Sequence, residues 1–172
     1  VREPDGTLVG HTTDVSALRR LWRSEGVPVD RPVLILGAGG AAAAACLAVS
    51  GSSVYVGARR PEAANALVAG LELDMHRVAW DVAVADAVVV NATSLGMRGE
   101  ELPSRVIGLA SAVVDLAYGA EETPAIRSAR ERGLPAVGGL AILVAQAADS
   151  FRLWTGVEAP VDVMMGAAQG AP

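Results

Sequence analysis

The chain has 172 residues, with 14 Lys+Arg against 19 Asp+Glu for a formal net charge of −5, and 52% of its residues are hydrophobic and 3% aromatic. All 14 cations are arginines; the missing lysine excludes, for this chain alone, a P-loop with its Gly-Lys-Ser/Thr and any Schiff-base chemistry on a lysine amine. The acidic balance argues against nucleic-acid binding, which draws most of its affinity from a basic patch.

No apolar run, Ala41 to Val49 included, approaches the roughly 18 residues of a membrane span. No basic–apolar–small signal segment opens the chain, and the lone Cys46 can form no internal disulfide. A soluble, cytoplasmic protein is expected. The length suits one domain with a substantial core, and the sequence begins at Val1 rather than Met, as a fragment's would.

Taken in chain order, the first element is Asp14-Val-Ser-Ala-Leu-Arg-Arg-Leu-Trp-Arg, where Val15, Leu18, Leu21 and Trp22 share one helix face. This helix precedes the strands and is free to connect to something else. From Arg31 onward short apolar runs alternate with helical stretches, the pattern of a parallel sheet wound with helices. The runs are Pro32–Leu36, Ser53–Gly57, Arg77–Trp80, Ala87–Asn91, Ala112–Leu116 and Leu134–Val137. Their near-continuous Val/Ile/Leu content suits strands covered on both faces. Six strands with five linkers predict an α/β fold with a doubly wound, six-stranded parallel sheet of the Rossmann type.

Helices are predicted over Gly40–Ser50, Pro61–Leu71, Thr123–Arg132 and Ala141–Trp154. Pro61 suits a first helical turn, Thr123-Pro124 reads as an N-cap with proline at N1, and Gly133 as a helix stop. The tail, Val157 to Pro172, has no clear period and is left unassigned.

After the first strand, Gly37-Ala38-Gly39-Gly40-Ala41-Ala42 contains G-x-G-x-x-A. Dinucleotide binding needs a tight strand-to-helix turn, a residue without Cβ where a pyrophosphate meets backbone, and a small residue for close helix–strand packing. Helix N-terminal amides then face the phosphates. The position of the motif, between the first strand and its helix, supports that reading over a packing-only turn. At the end of the second strand NAD-binding domains place an Asp or Glu on the ribose, whereas here Ala58-Arg59-Arg60-Pro61 offers no acid before Glu62. Arginines there can pair with a 2′-phosphate, so the expected cofactor is NADP; the alternative is that Arg59 and Arg60 are ordinary solvated charges.

Ligands of open α/β sheets sit outside the carboxyl ends of the strands. The fourth strand ends in Asn91-Ala92-Thr93-Ser94, the fifth in Asp115-Leu116-Ala117-Tyr118 and the sixth in Gly138-Gly139. Asn91, Thr93 and Ser94 could bond a nicotinamide ribose or form a turn network of their own. Gln146, in an otherwise apolar helix, is either a ligand contact or a satisfied core amide. His11 and His76 have no metal-ligand company, so no metal is expected. Cys46 reads as a small buried hydrophobe, and Trp22, Trp80 and Trp154 as packing residues.

Six ordered motifs resemble the C-terminal, NADP-binding half of the shikimate dehydrogenase family. Asp5-Gly-Thr-Leu-Val-Gly-His-Thr-Thr-Asp14 is similar to D-G-x-L-x-G-x-N-T-D, Gly37-Ala-Gly-Gly-Ala41 to G-A-G-G-A, and Ala58-Arg59-Arg60 stands at N-R-T. Asn91-Ala-Thr-Ser-Leu-Gly-Met97 matches N-A-T-S-x-G-M, Asp115 to Tyr118 with Thr123-Pro124 resembles D-x-x-Y and its later T-P, and Gly139 to Gln146 with Trp154-Thr-Gly156 resembles G-L-x-M-L-V-x-Q-A and W-T-G. The resemblance implies reversible NADPH-dependent reduction of 3-dehydroshikimate to shikimate, a step of aromatic amino acid and chorismate biosynthesis. It implies that Asp14 is the acid of a Lys–Asp pair handling the alcohol proton, a role with a sound basis because ketone reduction develops alkoxide charge. Tyr118, Gln146 and Thr12 would contact substrate, while Gly37, Ala38, Gly39, Gly40, Ala41, Arg59, Arg60, Asn91, Ala92, Thr93, Ser94, Leu116 and Gly139 would hold NADP. Without the resemblance Asp14 reads as a helix N-cap.

The resemblance further implies a separate N-terminal substrate domain that supplies the lysine. Residues 1–30 would then be a motif turn and connector helix leading to that domain, in cis or in trans, 31–156 the NADP-binding domain and 157–172 a tail; a homodimer is compatible with this layout. Thr12 replaces the motif asparagine, Ala17 a glycine, Ala58 the asparagine of N-R-T and Ile142 a methionine. Thr12 keeps a hydroxyl and loses a planar amide. Two other functions fit these features: a non-catalytic NADP-binding or partner-docking domain, and a relative acting on quinate or aminoshikimate.

Overall fold

The computed structural model describes residues 1–49, 52–119 and 121–170. Six strands, β1 (Val33–Leu36), β2 (Val54–Gly57), β3 (Met75–Val78), β4 (Val88–Asn91), β5 (Ala112–Asp115) and β6 (Ala136–Val137), form one sheet in the order β3-β2-β1-β4-β5-β6. Every pairing is parallel. The strand order reverses direction at β1/β4, the point where such sheets open a ligand crevice.

Alternation along the strands sorts the core into two layers. Val33, Ile35, Val54, Val56, Val88, Val90 and Val114 face a layer that includes α2 (Gly40–Ala48), α3 (Pro61–Leu71) and α6 (Gly139–Thr155). Leu34, Leu36, Val89 and Val113 face α4 (Ser104–Gly108) and α5 (Pro124–Glu131). Each fully buried Val, Leu or Ile contributes about 1.5–3 kcal/mol over its exposed state, which explains why these four-residue strands carry almost nothing polar.

The first helix, α1 (Thr13–Ser24), joins that core: Ala17, Leu18 and Trp22 are buried, and Trp22 Nε1 donates to the Pro28 carbonyl at 3.0 Å. It packs against α2 and α6. Its N-cap is Thr12, with Asp14 one residue inside the first turn, so the N-cap reading of Asp14 is corrected. Ahead of α1, Arg2 and Leu8 bridge in a small antiparallel turn closed by Thr7 N–H on Asp5 Oδ1 at 2.9 Å.

Thr123 caps α5, accepting from Ile126 N, with Pro124 in the first turn, and Gly133 ends it at φ +68°. α3 starts at Pro61 as predicted. β3 lies two residues earlier than Arg77–Trp80 because its one buried anchor is Met75; His76 and Arg77 are exposed, and this edge strand shows no apolar run. β6 is shortened to two residues from the predicted four. α6 begins two residues before Ala141. Two helices were not foreseen: α4, five residues following Pro103, is too short to show a period, and α7 (Val161–Gly170) buries no residue completely. The predicted end of α2 at Ser50 and the last tail residues, Ala171 and Pro172, lie outside the described residues.

Trp80 packs against the second layer, but Trp154 is 78% exposed, against the expectation that it packs. No helix among the described residues is long and apolar enough to cross a membrane.

Candidate functional site

Strand register brings Gly57, Leu36, Asn91 and Asp115 side by side along the carboxyl edge of the sheet. The glycine turn occupies the middle of that edge. Gly37 N–H donates to the Gly57 carbonyl at 2.8 Å, and the residue has φ +126°. A Cβ on Gly37 would lie 2.6 Å from the Ala92 carbonyl oxygen, so backbone strain and close approach both demand glycine. Gly39 differs: its φ is −98° and nothing lies within 4 Å of where its Cβ would be. Gly39 also caps α2, whose first amides have no intrahelical partner. Ala42 is fully buried under the helix. The tight turn, the open approach and the close packing therefore fall on three different residues, and the space over Gly39 lies open at the N-terminus of α2.

Beyond β2, Ala58 is half-buried and Arg59 and Arg60 are exposed; Arg60 precedes Pro61 as the N-cap of α3. Among the described residues neither arginine forms an ion pair. Both cations stand at the carboxyl end of β2.

On the other side of the turn, the Asn91 side chain is completely buried and already used. Its Nδ2 donates to the Leu95 carbonyl at 2.8 Å and to Asp115 Oδ1 at 2.7 Å, while its Oδ1 accepts from Thr93 N at 3.1 Å and Thr93 Oγ1 at 2.7 Å. Thr93 Oγ1 accepts from Leu95 N at 3.1 Å. Asn91 and Thr93 thus build a turn network, the second of the two readings their sequence left open. Ser94 is exposed, and Ala92 closes on the first strand through its N–H to the Leu36 carbonyl at 2.8 Å.

Asp115, named in the sequence only as a strand end and motif residue with no role of its own, is equally buried and accepts from Asn91 Nδ2, from Ala117 N at 3.0 Å and from Thr123 Oγ1 at 2.6 Å. Burial raises its carboxyl above the usual range, against the lowering effect of the Thr123, Ala117 and Asn91 hydrogen bonds. The available signal was a polar residue ending each of two adjacent apolar strands in register. Leu116 N–H donates to the Asn91 carbonyl at 2.9 Å. Where α6 starts, a Cβ on Gly139 would overlap the Ala117 carbonyl oxygen, so glycine lets the helix N-terminus reach this edge.

The residues expected to meet substrate are more open. Tyr118 is 41% exposed after β5, Thr12 is exposed, and Asp14 and Gln146 are half-buried. Among the described residues none of these four side chains hydrogen-bonds to another group. The first turn of α1 meets α6 through Thr13 Oγ1 and Ser150 Oγ, 3.2 Å apart, and Ser150 Oγ donates to the carbonyl of Gln146 one turn earlier. A second tie, also unread in the sequence, is Asp149, which accepts from Ser16 Oγ at 2.6 Å and pairs with Arg20 at 2.8 Å. The segment bearing Asp14 is held against the helix bearing Gln146 by these contacts.

His11 and His76 are exposed, and the His76 ring lies 5.3 Å from that of Tyr55. Cys46 is buried, and burial pushes its thiol up to about 11.

The model of the family described as Shikimate 5'-dehydrogenase C-terminal domain matches residues 139–169. The chain is 38% identical over 170 residues to a shikimate dehydrogenase (NADP(+)) of Methanothrix thermoacetophila, covering 94% of this chain and 63% of that protein. It is 39% identical over 177 residues to one from an Anaeromyxobacter species, covering 95% and 62%. Among solved structures it is similar, at TM-score 0.82 and 34% identity, to shikimate 5-dehydrogenase from Thermus thermophilus in complex with NADP(H) and shikimate, covering 97% of this chain and 65% of that one. The chain therefore spans less than two thirds of the length of these relatives.

Proposed function

We propose that this chain, a homologue of the shikimate dehydrogenases over most of its own length, is the NADP-binding part of an oxidoreductase that reversibly reduces 3-dehydroshikimate to shikimate. The observation that carries the reading is the glycine turn at β1/β4, where Gly37 is forced by geometry and Gly39 is left open, flanked by Arg59 and Arg60 where an NAD-binding chain would have an acid. In this reading residues 31–156 hold the cofactor, residues 1–30 lead toward a substrate domain supplied in cis or in trans, and 157–172 contribute α7.

NADPH, when bound, supplies the hydride. The chain's own residues do the rest of the positioning. Backbone from Gly37 to Ala41 receives the pyrophosphate at the N-terminus of α2, and Arg59 with Arg60 pairs with the 2′-phosphate. The backbone of Ala92, Thr93 and Leu116, the Ser94 hydroxyl and the N-terminus of α6 at Gly139 line the nicotinamide half. The Asn91 side chain is committed to its turn, so its contribution is to shape that backbone. Asp14 exchanges the alcohol proton together with a lysine from outside this chain, since a positioned acid quenches the developing alkoxide. Tyr118, Gln146 and Thr12 contact the substrate.

Fluorescence titration tests the cofactor half: NADPH should bind the purified chain more tightly than NADH, and equal affinities would refute the arginine assignment. Assayed alone with shikimate and NADP, the chain should give no NADPH above background, because the proton-handling pair lacks its lysine; robust turnover would show that the lysine is not required.

A further inference from the structure

We propose that Asp115 is a positioning residue for the nicotinamide half of the cleft, tying the turn after β4, the loop after β5 and the start of α6 into one unit. The inference rests on the NADP reading above and assigns a part in it to a residue that touches no ligand.

The geometry is specific. One carboxylate, with no exposed surface, receives donors from three segments: Asn91 Nδ2 at 2.7 Å from the end of β4, Ala117 N at 3.0 Å from the loop after β5, and Thr123 Oγ1 at 2.6 Å from the cap of α5. Two of these bonds lead on to candidate cofactor contacts, at Thr93 and Gly139, and the third leads to the end of the same turn at Gly96. Asn91 holds Thr93 through both the backbone N–H and the hydroxyl. Ala117 presents the carbonyl oxygen on which Gly139 packs without room for a Cβ. Thr123 lies against Gly96, whose φ is +100° and whose Cβ would approach Thr123 Cβ at 3.1 Å.

An apolar residue of similar volume would fill this site without the desolvation penalty of a buried carboxylate. It would leave the Ala117 amide and the Thr123 hydroxyl without an acceptor, and free the Asn91 amide from one of its two bonds. A carboxylate is the side chain that can accept all three donors at once. Its influence is also one-sided. In the strand order β2-β1-β4-β5, the Arg59 end of the cleft lies two strands beyond β4, so Asp115 should govern one half of the cofactor and leave the other alone.

That asymmetry supplies the test. Binding of NADPH and of adenosine 2′,5′-bisphosphate, which carries only the adenosine half, is measured by calorimetry for the wild-type chain, Asp115→Ala and Asp115→Asn. Asp115→Ala should weaken NADPH roughly tenfold or more, about the effect of losing one or two net hydrogen bonds, and leave the bisphosphate affinity within about twofold. Asp115→Asn should fall between, because an amide oxygen can take over the bonds to Asn91 and Ala117 while the second acceptor is lost. Loss of both ligands in parallel, or no loss of NADPH, overturns the proposal. Should Asp115→Ala fail to fold, Asp115→Asn decides alone: a selective loss of NADPH supports the role, and an unchanged or parallel affinity refutes it. A wild-type chain that binds neither ligand refutes the NADP reading and the role of Asp115 with it.

Discussion

Gly37 and Gly39 are two residues apart in one motif, yet the structure predicts that adding the same methyl group to each has opposite consequences. At Gly37 an alanine must hold φ +126° and place its Cβ 2.6 Å from the Ala92 carbonyl oxygen and 2.9 Å from its carbon. The backbone conformation costs about 1–3 kcal/mol for a residue with a side chain. The clash adds about 1–3 kcal/mol, because the obstacle is backbone of the adjoining strand end and cannot rotate away. The sum, about 2–6 kcal/mol, corresponds at this chain length to a fall in Tm of roughly 4–24 °C. At Gly39 the same change meets nothing within 4 Å and a φ of −98° that any residue adopts. Alanine is a poorer N-cap than glycine, and the stiffer unfolded chain offsets part of that loss, so stability should change by less than about 1 kcal/mol.

The binding effects should run the other way. The empty volume beside Gly39 is where a pyrophosphate would meet the first amides of α2, and a methyl group there should weaken NADPH about 10–100-fold, or roughly 1.4–2.8 kcal/mol. The assay is a thermal melt without ligand alongside an NADPH fluorescence titration, on Gly37→Ala and Gly39→Ala. If Gly39→Ala melts as early as Gly37→Ala, or binds NADPH as the wild type does, the division of labour within the turn is wrong.

Three further outcomes follow from particular residues. Arg59→Ala should lose most of the preference for NADPH over NADH, with NADH affinity nearly unchanged; a retained preference in paired titrations would transfer the role to Arg60. Burial alone would raise the Asp149 carboxyl, but hydrogen bonds from Ser16 and Arg20, with the charges of Arg20 and Arg152, bring it below its usual value. A folded value below the unfolded one, near ~4, gives stability that is complete above that pH and is lost as pH falls through the folded value. The deficit of Asp149→Asn, about 1–3 kcal/mol at neutral pH and toward the lower end because Arg20 is half-exposed, should therefore be constant from pH 7 to 5 and shrink in acid; urea titrations that show a deficit growing below pH 4 would contradict it. Cys46, buried with its thiol pushed up to about 11, should resist thiol reagents at neutral pH in the folded chain and react promptly in denaturant; rapid labelling of the native chain would mean that α2 opens easily.

The sheet and the glycine turn were legible because their signals are local. Four-residue runs such as Val33–Leu36 and Val88–Asn91 are apolar on both faces, and a strand covered by helices on both sides can be little else. Pro61, Thr123-Pro124 and Gly133 mark helix ends by their own backbone chemistry. What could not be read depends on distant partners. Trp154 carries the sequence pattern of a packing residue and stands exposed. The amphipathic face of α1 does not name what covers it, here α2 and α6. The burial and hydrogen bonding of Asp115 and Asp149 arise only when strands 24 residues apart, or helices 133 residues apart, come together.

The same distinction separates what this chain should do alone from what it should not. The proposed cofactor edge is built from backbone at the ends of neighbouring strands and the start of α6, fixed by contacts within this chain: Gly37 on Ala92, Asn91 on Asp115, Gly139 on Ala117. Proton transfer is different, because Asp14 is half-buried on α1 without a hydrogen-bond partner among the described residues, and all 14 cations of the sequence are arginines, whose guanidinium cannot give up its proton near neutral pH. An arginine can hold a phosphate or an alkoxide; it cannot trade the proton that a ketone must gain. Cofactor binding should therefore be a property of the chain as it stands, and turnover a property it acquires only when a lysine-bearing partner meets the first turn of α1.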